Sequence, residues 1–263
     1  MPTIEREGAA LYYESHGNGP AVVFVHGSGG SALSWWQQIP HFAKSHRVVA
    51  FDHRGFGRSS CAPEAIDPRH FAGDLAAILD AAGVRRAALV CQSMGGWTGL
   101  PFAIAHPERT AGLVLAGTPG GVVTERIQRD SAEVPKRAAE RGFLGMALAR
   151  TFLERDPMRS FLYERIGSLN PPATLGTVLS KLAALQVDRA QLAGFRVPTL
   201  LLVGTEDAFF SVEGLGEVAD AIPGARLQVL PGTGHSAYFE EPEVFNGLVE
   251  SFFEEIGPWT SSS

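Results

Sequence analysis

Short, unbroken apolar runs alternate along this chain with longer segments in which apolar residues recur at helical spacing. A strand covered on both faces needs apolar residues throughout, whereas an amphipathic helix needs them only every third or fourth residue. The repeated order of strand, helix and strand indicates βαβ units, and therefore an α/β fold with a mostly parallel sheet flanked by helices. The predicted strands are residues 9–15, 21–27, 47–52, 87–92, 111–117, 199–204 and 225–232, and the predicted helices include 68–83, 94–108 and 241–256.

One long region breaks this alternation. Between residues 118 and 195 the sequence shows helical patterns and no strong strand. Because this block lies between two predicted strands, we expect it to form a helical cap over the C-terminal edge of the sheet. The predicted organisation is a core in two parts, residues 1–119 and 196–263, with a cap of residues 120–195. The run 225–232 has mixed polarity, which suits a strand at the edge of the sheet.

The composition argues against several classes of function. A formal net charge of −6 does not suit non-specific nucleic-acid binding. The two cysteines, Cys61 and Cys91, have neither the spacing of a metal site nor the density of a disulfide scaffold. No run approaches the ~18 apolar residues of a membrane span, and the N-terminal segment carries charges where a secretory signal would be apolar. We expect a soluble cytoplasmic protein without nucleic-acid or membrane partners, and the oligomeric state stays open.

Ser93 follows a predicted strand and precedes a predicted helix, in the stretch CQSMGG at residues 91–96. The motif G-x-S-x-G holds a nucleophilic serine in a strained turn between strand and helix, and close packing there leaves little room for side chains two residues to either side. Gly95 meets this requirement, whereas Cys91 departs from it with a small side chain. A serine at such a junction is also a favoured helix N-cap, so the motif alone leaves both interpretations open.

Two further residues favour the nucleophile. A nucleophilic serine needs a base, and the base needs a carboxylate that orients it. Asp207 comes just after the strand 199–204, and His235 lies in a glycine-rich loop after the next strand. The chain order serine, acid, histidine is that of one class of hydrolases. Glu206 is the competing acid, and the shorter side chain of Asp207 is the one that the motif usually uses.

These residues resemble the α/β-hydrolase fold superfamily, and in particular its serine carboxylesterase and lactonase-like members with a helical cap. The resemblance covers nearly the whole chain and implies an eight-stranded sheet, with the cap inserted after the sixth strand. It also implies an oxyanion hole made by the backbone amides of Met94 and Ser28, with Gly29 as the alternative to Ser28. The motifs that carry it are HGSGG at 26–30, DHRGFGRSS at 52–60, the serine turn at 91–96, GTEDAFF at 204–210 and GTGHSAYFEEP at 232–242.

The resemblance implies an enzyme that cleaves small-molecule esters or lactones through an acyl-enzyme. Ser93 would be the nucleophile, His235 the general base and then the acid, and Asp207 the residue that orients His235. No metal and no organic cofactor is implied. Aromatic residues beside the motifs suggest an apolar pocket for a small to medium substrate, and the candidates are Trp36, Trp97, Phe209 and Tyr238.

Other activities on the same triad stay open. Dehalogenases and epoxide hydrolases of this superfamily use aspartate at the position of Ser93. Its carbon–carbon bond hydrolases commonly carry tryptophan directly after the catalytic histidine, where this chain has Ser236. The menaquinone-pathway lyase has arginine after the paired glycines, where this chain has Trp97. These departures favour ester or lactone cleavage over the other reactions, and a perhydrolase side activity is compatible with the same residues.

Two interpretations from other classes compete with a hydrolase. The stretch GSGGSA at 27–32 follows a strand, and Asp52 comes about 20 residues later, which is the spacing of a dinucleotide-binding fingerprint. The strands predicted before it and the joint occurrence of the three triad residues argue against that reading. The second alternative is a ligand receptor on the hydrolase fold with slow turnover. Structural roles are predicted for His26 in shaping the oxyanion loop, and for Asp52 and Arg54 in a tight turn.

Overall fold

Nine strands form one mostly parallel sheet in the computed structural model, which describes residues 2–260. They are β1 (Thr3–Arg6), β2 (Ala9–His16), β3 (Ala21–Val25), β4 (Arg47–Phe51), β5 (Ser60–Cys61), β6 (Ala87–Gln92), β7 (Thr110–Ala116), β8 (Thr199–Gly204) and β9 (Arg226–Leu230). Eight strands lie side by side in the order β1-β2-β4-β3-β6-β7-β8-β9, and β5 pairs with β2. The pairs of β2 with β1, β4 and β5 are antiparallel, and the other pairs are parallel. The predicted α/β class with a mostly parallel sheet is confirmed. Eight strands form the side-by-side path, and the short β5 makes the sheet nine-stranded rather than eight-stranded. The sequence pattern predicts neither β1 nor β5.

Helices cover both faces of the sheet. Side chains alternate between the faces along each strand, so Val22 and Phe24 join one apolar cluster while Val23 and Val25 join the other. None of the helices within residues 2–260 combines the length and apolarity needed to cross a bilayer. The helices are α1 (Gln38–Phe42), α2 (Phe71–Ala81), α3 (Gly96–Ala105), α4 (Glu125–Ala147), α5 (Arg150–Arg155), α6 (Pro157–Gly167), α7 (Pro172–Leu182), α8 (Arg189–Leu192), α9 (Val212–Ala221), α10 (Ala237–Glu240) and α11 (Pro242–Ile256).

The burial of each strand explains how clearly the sequence predicts it. Every residue of β3, β6, β7 and β8 is buried, which is why these segments are continuous apolar runs. The strand β9 lies at one edge and its exposure alternates along the chain, as its mixed polarity predicts. The strand β1 lies at the opposite edge and buries none of its residues fully, so its sequence gives no strong signal.

The parallel register brings the ends of the central strands to one edge of the sheet. Val25 of β3 lies opposite Cys91 of β6, and Gln92 lies opposite Ala116 of β7. Ala116 in turn lies opposite Leu202 of β8. The loops that follow these strands therefore leave from the same edge, and they are the loops that carry the sequence motifs.

Helices α4 to α8 lie between β7 and β8, where the sequence predicts a helical block; we refer to residues 120–195 as the inserted segment. The helix α4 is interrupted at Gly142, whose φ of +66° is not helical. Several hydrogen bonds tie the inserted segment to loops of the sheet's C-terminal edge, and three of them come from α4 and from the region of α7. Ser236 N donates to Ala147 O over 3.0 Å, Asn170 Nδ2 to Gly29 O over 2.8 Å, and Thr174 Oγ1 to Gly55 O over 3.0 Å.

Gly99 of the neighbouring helix α3 makes room for Cys91, which stands where the serine motif has its first glycine. Cys91 is fully buried between β6 and α3, and its Sγ fills the space beside Gly99. A Cβ atom at Gly99 would lie 2.3 Å from this sulfur and 3.2 Å from Leu113 Cδ1. Because Gly99 has no side chain, α3 can pack closely against β6 even though Cys91 has one.

We expect the substitution Gly99→Ala to destabilise the protein by about 1–3 kcal/mol, because it overpacks a closed core. The matched control is Gly247→Ala in α11, where a Cβ atom meets nothing within 4 Å and where alanine favours the helix by about 0.5–1 kcal/mol. Urea unfolding measures both changes. Adding Cys91→Gly should recover part of the loss in Gly99→Ala, and equal stabilities of the two alanine variants would contradict the account.

Candidate active site

The turn between β6 and α3 holds Ser93 in a strained conformation. Its φ is +50°, a value that a non-glycine residue rarely adopts. The chain folds this way because there is no space for side chains around the turn. A Cβ atom at Gly95 would lie 2.4 Å from Val25 O, and one at Gly96 would lie 2.3 Å from Thr118 Oγ1. Ser93 itself is partly exposed to solvent.

His235 and Asp207 form a buried hydrogen-bonded pair. The distance from Nδ1 of His235 to Oδ2 of Asp207 is 2.9 Å, and the two side chains are 5% and 1% exposed. Because a carboxylate only accepts, Nδ1 carries the proton and Nε2 is left as the basic nitrogen. The other oxygen, Oδ1, accepts from the amides of Phe209 and Phe210 over 2.8 and 3.1 Å. The competing acid, Glu206, accepts instead from Thr151 Oγ1.

A side-chain hydrogen bond joins the loop of His235 to the residue before Ser93. Gln92, the residue before Ser93, donates from Nε2 to the carbonyl oxygen of His235 over 3.3 Å. Gly117, at the end of β7, lies against the buried pair, and a Cβ atom there would be 3.1 Å from Nδ1 of His235 and 3.2 Å from Oδ2 of Asp207. The strand end thus leaves the space in which the histidine ring lies.

The loop after β3 runs along the other side of Ser93. A Cβ atom at Gly27 would lie 2.9 Å from Cβ of Ser93, so the loop passes close to the serine. Gly30 N donates to Gly27 O over 3.0 Å and closes a turn, in which Gly29 has the positive φ of +78° that the third residue of a type II turn requires. The amide of Ser28 is not used to close this turn. The amide of Met94 lies in the first turn of a helix, where amides have no intrahelical acceptor.

Two buried histidines, His26 and His53, hold the loop after β3 from its core side. His26 Nδ1 donates to Gly27 O over 2.8 Å, and its Nε2 accepts from the His53 amide over 2.9 Å. The ring of His53 continues the chain of hydrogen bonds to Thr98 Oγ1 over 2.8 Å. Burial lowers the pKa of both histidines, which keeps them neutral and able to accept. His26 is therefore a scaffold for the loop, as its sequence position predicts.

Asp52 is also committed to the scaffold. It is fully buried, and its two oxygens accept from the amides of Ala32 and Arg58 over 2.6 and 2.7 Å. An acidic residue of a dinucleotide site must present its carboxylate to a ribose, which this arrangement does not allow. Arg54 is likewise buried and makes two hydrogen bonds with Asp74. The dinucleotide-binding interpretation is therefore not supported.

The four predicted pocket residues have different surroundings. The ring of Phe209 lies 4.4 Å from the ring of His235, centroid to centroid. Tyr238 is buried against Trp35, with centroids 4.5 Å apart. Trp97 donates from Nε1 to Leu185 O over 3.1 Å and lines two clefts of about 430 and 420 Å³. Trp36 is 38% exposed and packs edge-on against Phe239. Of the four, Phe209 is the residue whose ring packs against His235.

Cys91 is not a competing nucleophile in this geometry. The thiol is fully buried, and burial raises its pKa well above the ordinary value, so the thiolate is disfavoured and inaccessible. Within residues 2–260, no group of three or more histidine, cysteine, aspartate or glutamate side chains is arranged to hold a metal ion.

The sequence profile described as the alpha/beta hydrolase fold matches residues 20–242. The chain belongs to the α/β-hydrolase fold family. Strand order, the strained serine turn and the histidine–aspartate pair agree with this membership.

Relatives of this α/β hydrolase are named for several substrate classes. It is 33% identical to RutD of Azorhizobium caulinodans, named as a candidate carbamate hydrolase, over 97% of this chain and 99% of that protein. It is 31% identical to the 2-hydroxymuconate semialdehyde hydrolase of Pseudomonas sp. strain CF600, over 97% and 95% of the two chains. The solved structure of Est816, an N-acyl homoserine lactone degrading enzyme, matches with a TM-score of 0.83 and 28% identity, over 96% and 100%. The similarities establish a hydrolase of the α/β family, and the substrate differs between relatives.

Glu240 also belongs to the surroundings of the site, although its sequence position predicts no role for it. Its side chain is buried, and its carboxylate accepts from the amide of Gly234, the residue before His235, over 3.0 and 3.1 Å. It also accepts from the amide of Ala149 over 3.3 Å. Burial raises the pKa of Glu240 to about 7, although the two amides lower it. The available signal was an acidic residue at the end of the apolar stretch AYFE in the histidine motif.

The raised pKa of Glu240 predicts a pH-dependent stability. The folded hydrolase holds this proton to a higher pH than the unfolded chain does, so the free energy of unfolding should fall as the pH rises from about 4.5 to about 7. We expect the wild type to lose about 1–3 kcal/mol across this window relative to Glu240→Gln, measured by urea unfolding. Glu243→Gln, at an exposed position, is the control. Parallel pH profiles of wild type and Glu240→Gln would contradict the assignment.

Proposed function

We propose that this hydrolase is a serine esterase or lactonase that works through an acyl-enzyme. The observation that carries the proposal is the buried hydrogen bond from Nδ1 of His235 to Asp207, 2.9 Å long, next to the strained turn at Ser93. This is the arrangement that activates a serine hydroxyl: one carboxylate fixes the tautomer of one imidazole, whose other nitrogen is free to take a proton.

In the acylation half-reaction, Oγ of Ser93 attacks the carbonyl carbon of the ester while its proton passes to Nε2 of His235. The carbonyl oxygen becomes an oxyanion, which the amides of Ser28 and Met94 stabilise by hydrogen bonds. The tetrahedral intermediate collapses when the bond to the leaving oxygen breaks, and His235 gives that oxygen its proton. The alcohol departs, or stays attached to the acyl chain when the substrate is a lactone.

Deacylation repeats these steps with water. His235 takes a proton from a water molecule, whose oxygen attacks the acyl carbon, and a second oxyanion forms in the same position. Collapse returns the proton to Ser93 and releases the carboxylic acid. Asp207 stabilises the imidazolium in both halves, because its carboxylate faces the ring on the side away from the chemistry.

The substrate that we propose is small to medium in size and carries an apolar arm. Phe209 packs against the ring of His235, and the clefts beside Trp97 are lined mainly by apolar side chains of α3 and the inserted segment. We propose that the inserted segment acts as a cap that closes over this arm and sets the specificity. We also propose that Trp36 and Tyr238, whose rings pack against Phe239, line the substrate pocket.

A carbon–carbon bond hydrolase is the second candidate, because the Pseudomonas relative is named for such a substrate. In this chain the residue after the histidine, Ser236, is fully buried and its Oγ is 2.8 Å from the hydroxyl of Tyr163. The tryptophan of those enzymes would not fit in the same place without moving α6. Perhydrolase activity and slow-turnover ligand reception use the same three residues, and a slow receptor differs from an esterase in its turnover of esters.

The first test is labelling with a fluorophosphonate, read by intact mass spectrometry, with turnover of p-nitrophenyl acetate and butyrate in parallel. We expect Ser93→Ala to lose the label and to lower kcat by about 10⁴-fold or more, since the nucleophile is removed. Cys91→Ala and Cys61→Ala should keep both the label and the turnover.

Label on a cysteine, or full turnover by Ser93→Ala, would contradict the proposal. Labelling of wild type without turnover of any ester, lactone or carbon–carbon substrate above background would favour a receptor.

A further inference from the structure

Asn170, in the inserted segment between α6 and α7, bridges two loops of the core. Its Nδ2 donates to the carbonyl oxygen of Gly29 over 2.8 Å, and more weakly to Gly167 O over 3.3 Å. Its Oδ1 accepts from the amide of Gly57, also over 2.8 Å. One amide side chain therefore holds the turn beside Ser93 and the loop that follows β4 at the same time.

The bond to Gly29 acts on the predicted oxyanion donor through rigid peptide units. The Gly29 carbonyl and the Gly30 amide belong to one planar peptide, so the donor on Asn170 and the acceptor on Gly27 hold this plane from both sides. The Gly27 carbonyl belongs to the same peptide as the Ser28 amide. Its oxygen is held by Gly30 N and by Nδ1 of His26, so the Ser28 N–H points in the opposite direction, away from the scaffold.

The two supports of this turn come from different parts of the chain. His26 and Asp52 belong to the core and hold the ends of the loop from within. Asn170 belongs to the inserted segment and holds the turn from outside.

We propose that Asn170 is a positioning residue for oxyanion stabilisation: by holding the Gly29–Gly30 peptide, it aligns the amide of Ser28 only when the inserted segment is docked on the core. This inference rests on the proposed serine mechanism and adds to it a residue that touches neither the substrate nor the triad.

The test compares Asn170→Ala and Asn170→Asp with Thr174→Val. Aspartate can still accept from Gly57 N but has no donor for Gly29 O. Asn170→Asp therefore removes only the hydrogen bond that holds the turn. Thr174→Val removes another hydrogen bond of the inserted segment, to Gly55 O, without touching the turn. Loss of a whole oxyanion donor lowers kcat by about 10²–10³-fold. We expect the misaligned donor in both Asn170 variants to lower kcat by about 10- to 50-fold, while KM stays within about 3-fold of wild type. Thr174→Val should stay within about 3-fold of wild type.

A transition-state probe separates alignment from general damage. A trifluoromethyl ketone forms a tetrahedral adduct whose oxyanion occupies the hole, so its Ki should rise in the Asn170 variants by about the factor lost in kcat/KM. The affinity for the carboxylic acid product, which forms no oxyanion, should not change. Wild-type Ki in Asn170→Asp, or an equal loss for the product and the ketone, would overturn the proposal while the serine mechanism stands. If wild type neither turns over esters nor binds the ketone, both proposals fail.

Discussion

The close contact of backbones at one edge of the sheet is the constraint on which the rest of this structure depends. Where β3, β6 and β7 end, glycines occupy positions at which a Cβ atom would lie only 2.0 to 3.1 Å from the nearest atom of another segment. Gly27 faces the side chains of Gln92 and Ser93, Gly95 faces the backbone at the end of β3, and Gly117 faces His235. This absence of side chains leaves room for the turn at Ser93 with its positive φ, and for the ring of His235 beside the end of β7. The strain is located where the chemistry is proposed, and the buried strands maintain it.

Buried carboxylates then hold the loops around that edge. Asp52, Asp207 and Glu240 each accept hydrogen bonds from backbone amides of loops that carry motif residues. Such bonds orient a loop as well as satisfying the charge, because an amide direction is fixed by its peptide plane. Each carboxylate holds a different loop. Asp52 fixes the loop after β3, and Asp207 fixes its own turn and the ring of His235. Glu240 joins the loop of His235 to the inserted segment. Asn170 completes this frame from the outside.

The sequence predicts the parts of this arrangement that follow from short-range pattern. The apolar runs of β3, β6, β7 and β8 predict the sheet, and the parallel register brings Ser93, Asp207 and His235 to one edge. The strand β1 is missed because it is half exposed, and β5 because it has only two residues. Asn170 could not be predicted, since its partners Gly29 and Gly57 lie more than 100 residues away and nothing in its own neighbourhood marks it. The reason why Cys91 is tolerated also lies outside its motif, at Gly99 on the facing helix.

The central claim is that Ser93 carries the acyl group during turnover, and trapping that intermediate tests it most directly. Wild-type protein mixed rapidly with p-nitrophenyl butyrate, quenched in acid and digested, should show a butyryl group on the peptide that contains Ser93. That adduct should form at least as fast as the enzyme turns over and disappear when the substrate is consumed. Turnover without any covalent adduct, or with the acyl group on another residue, would contradict the account.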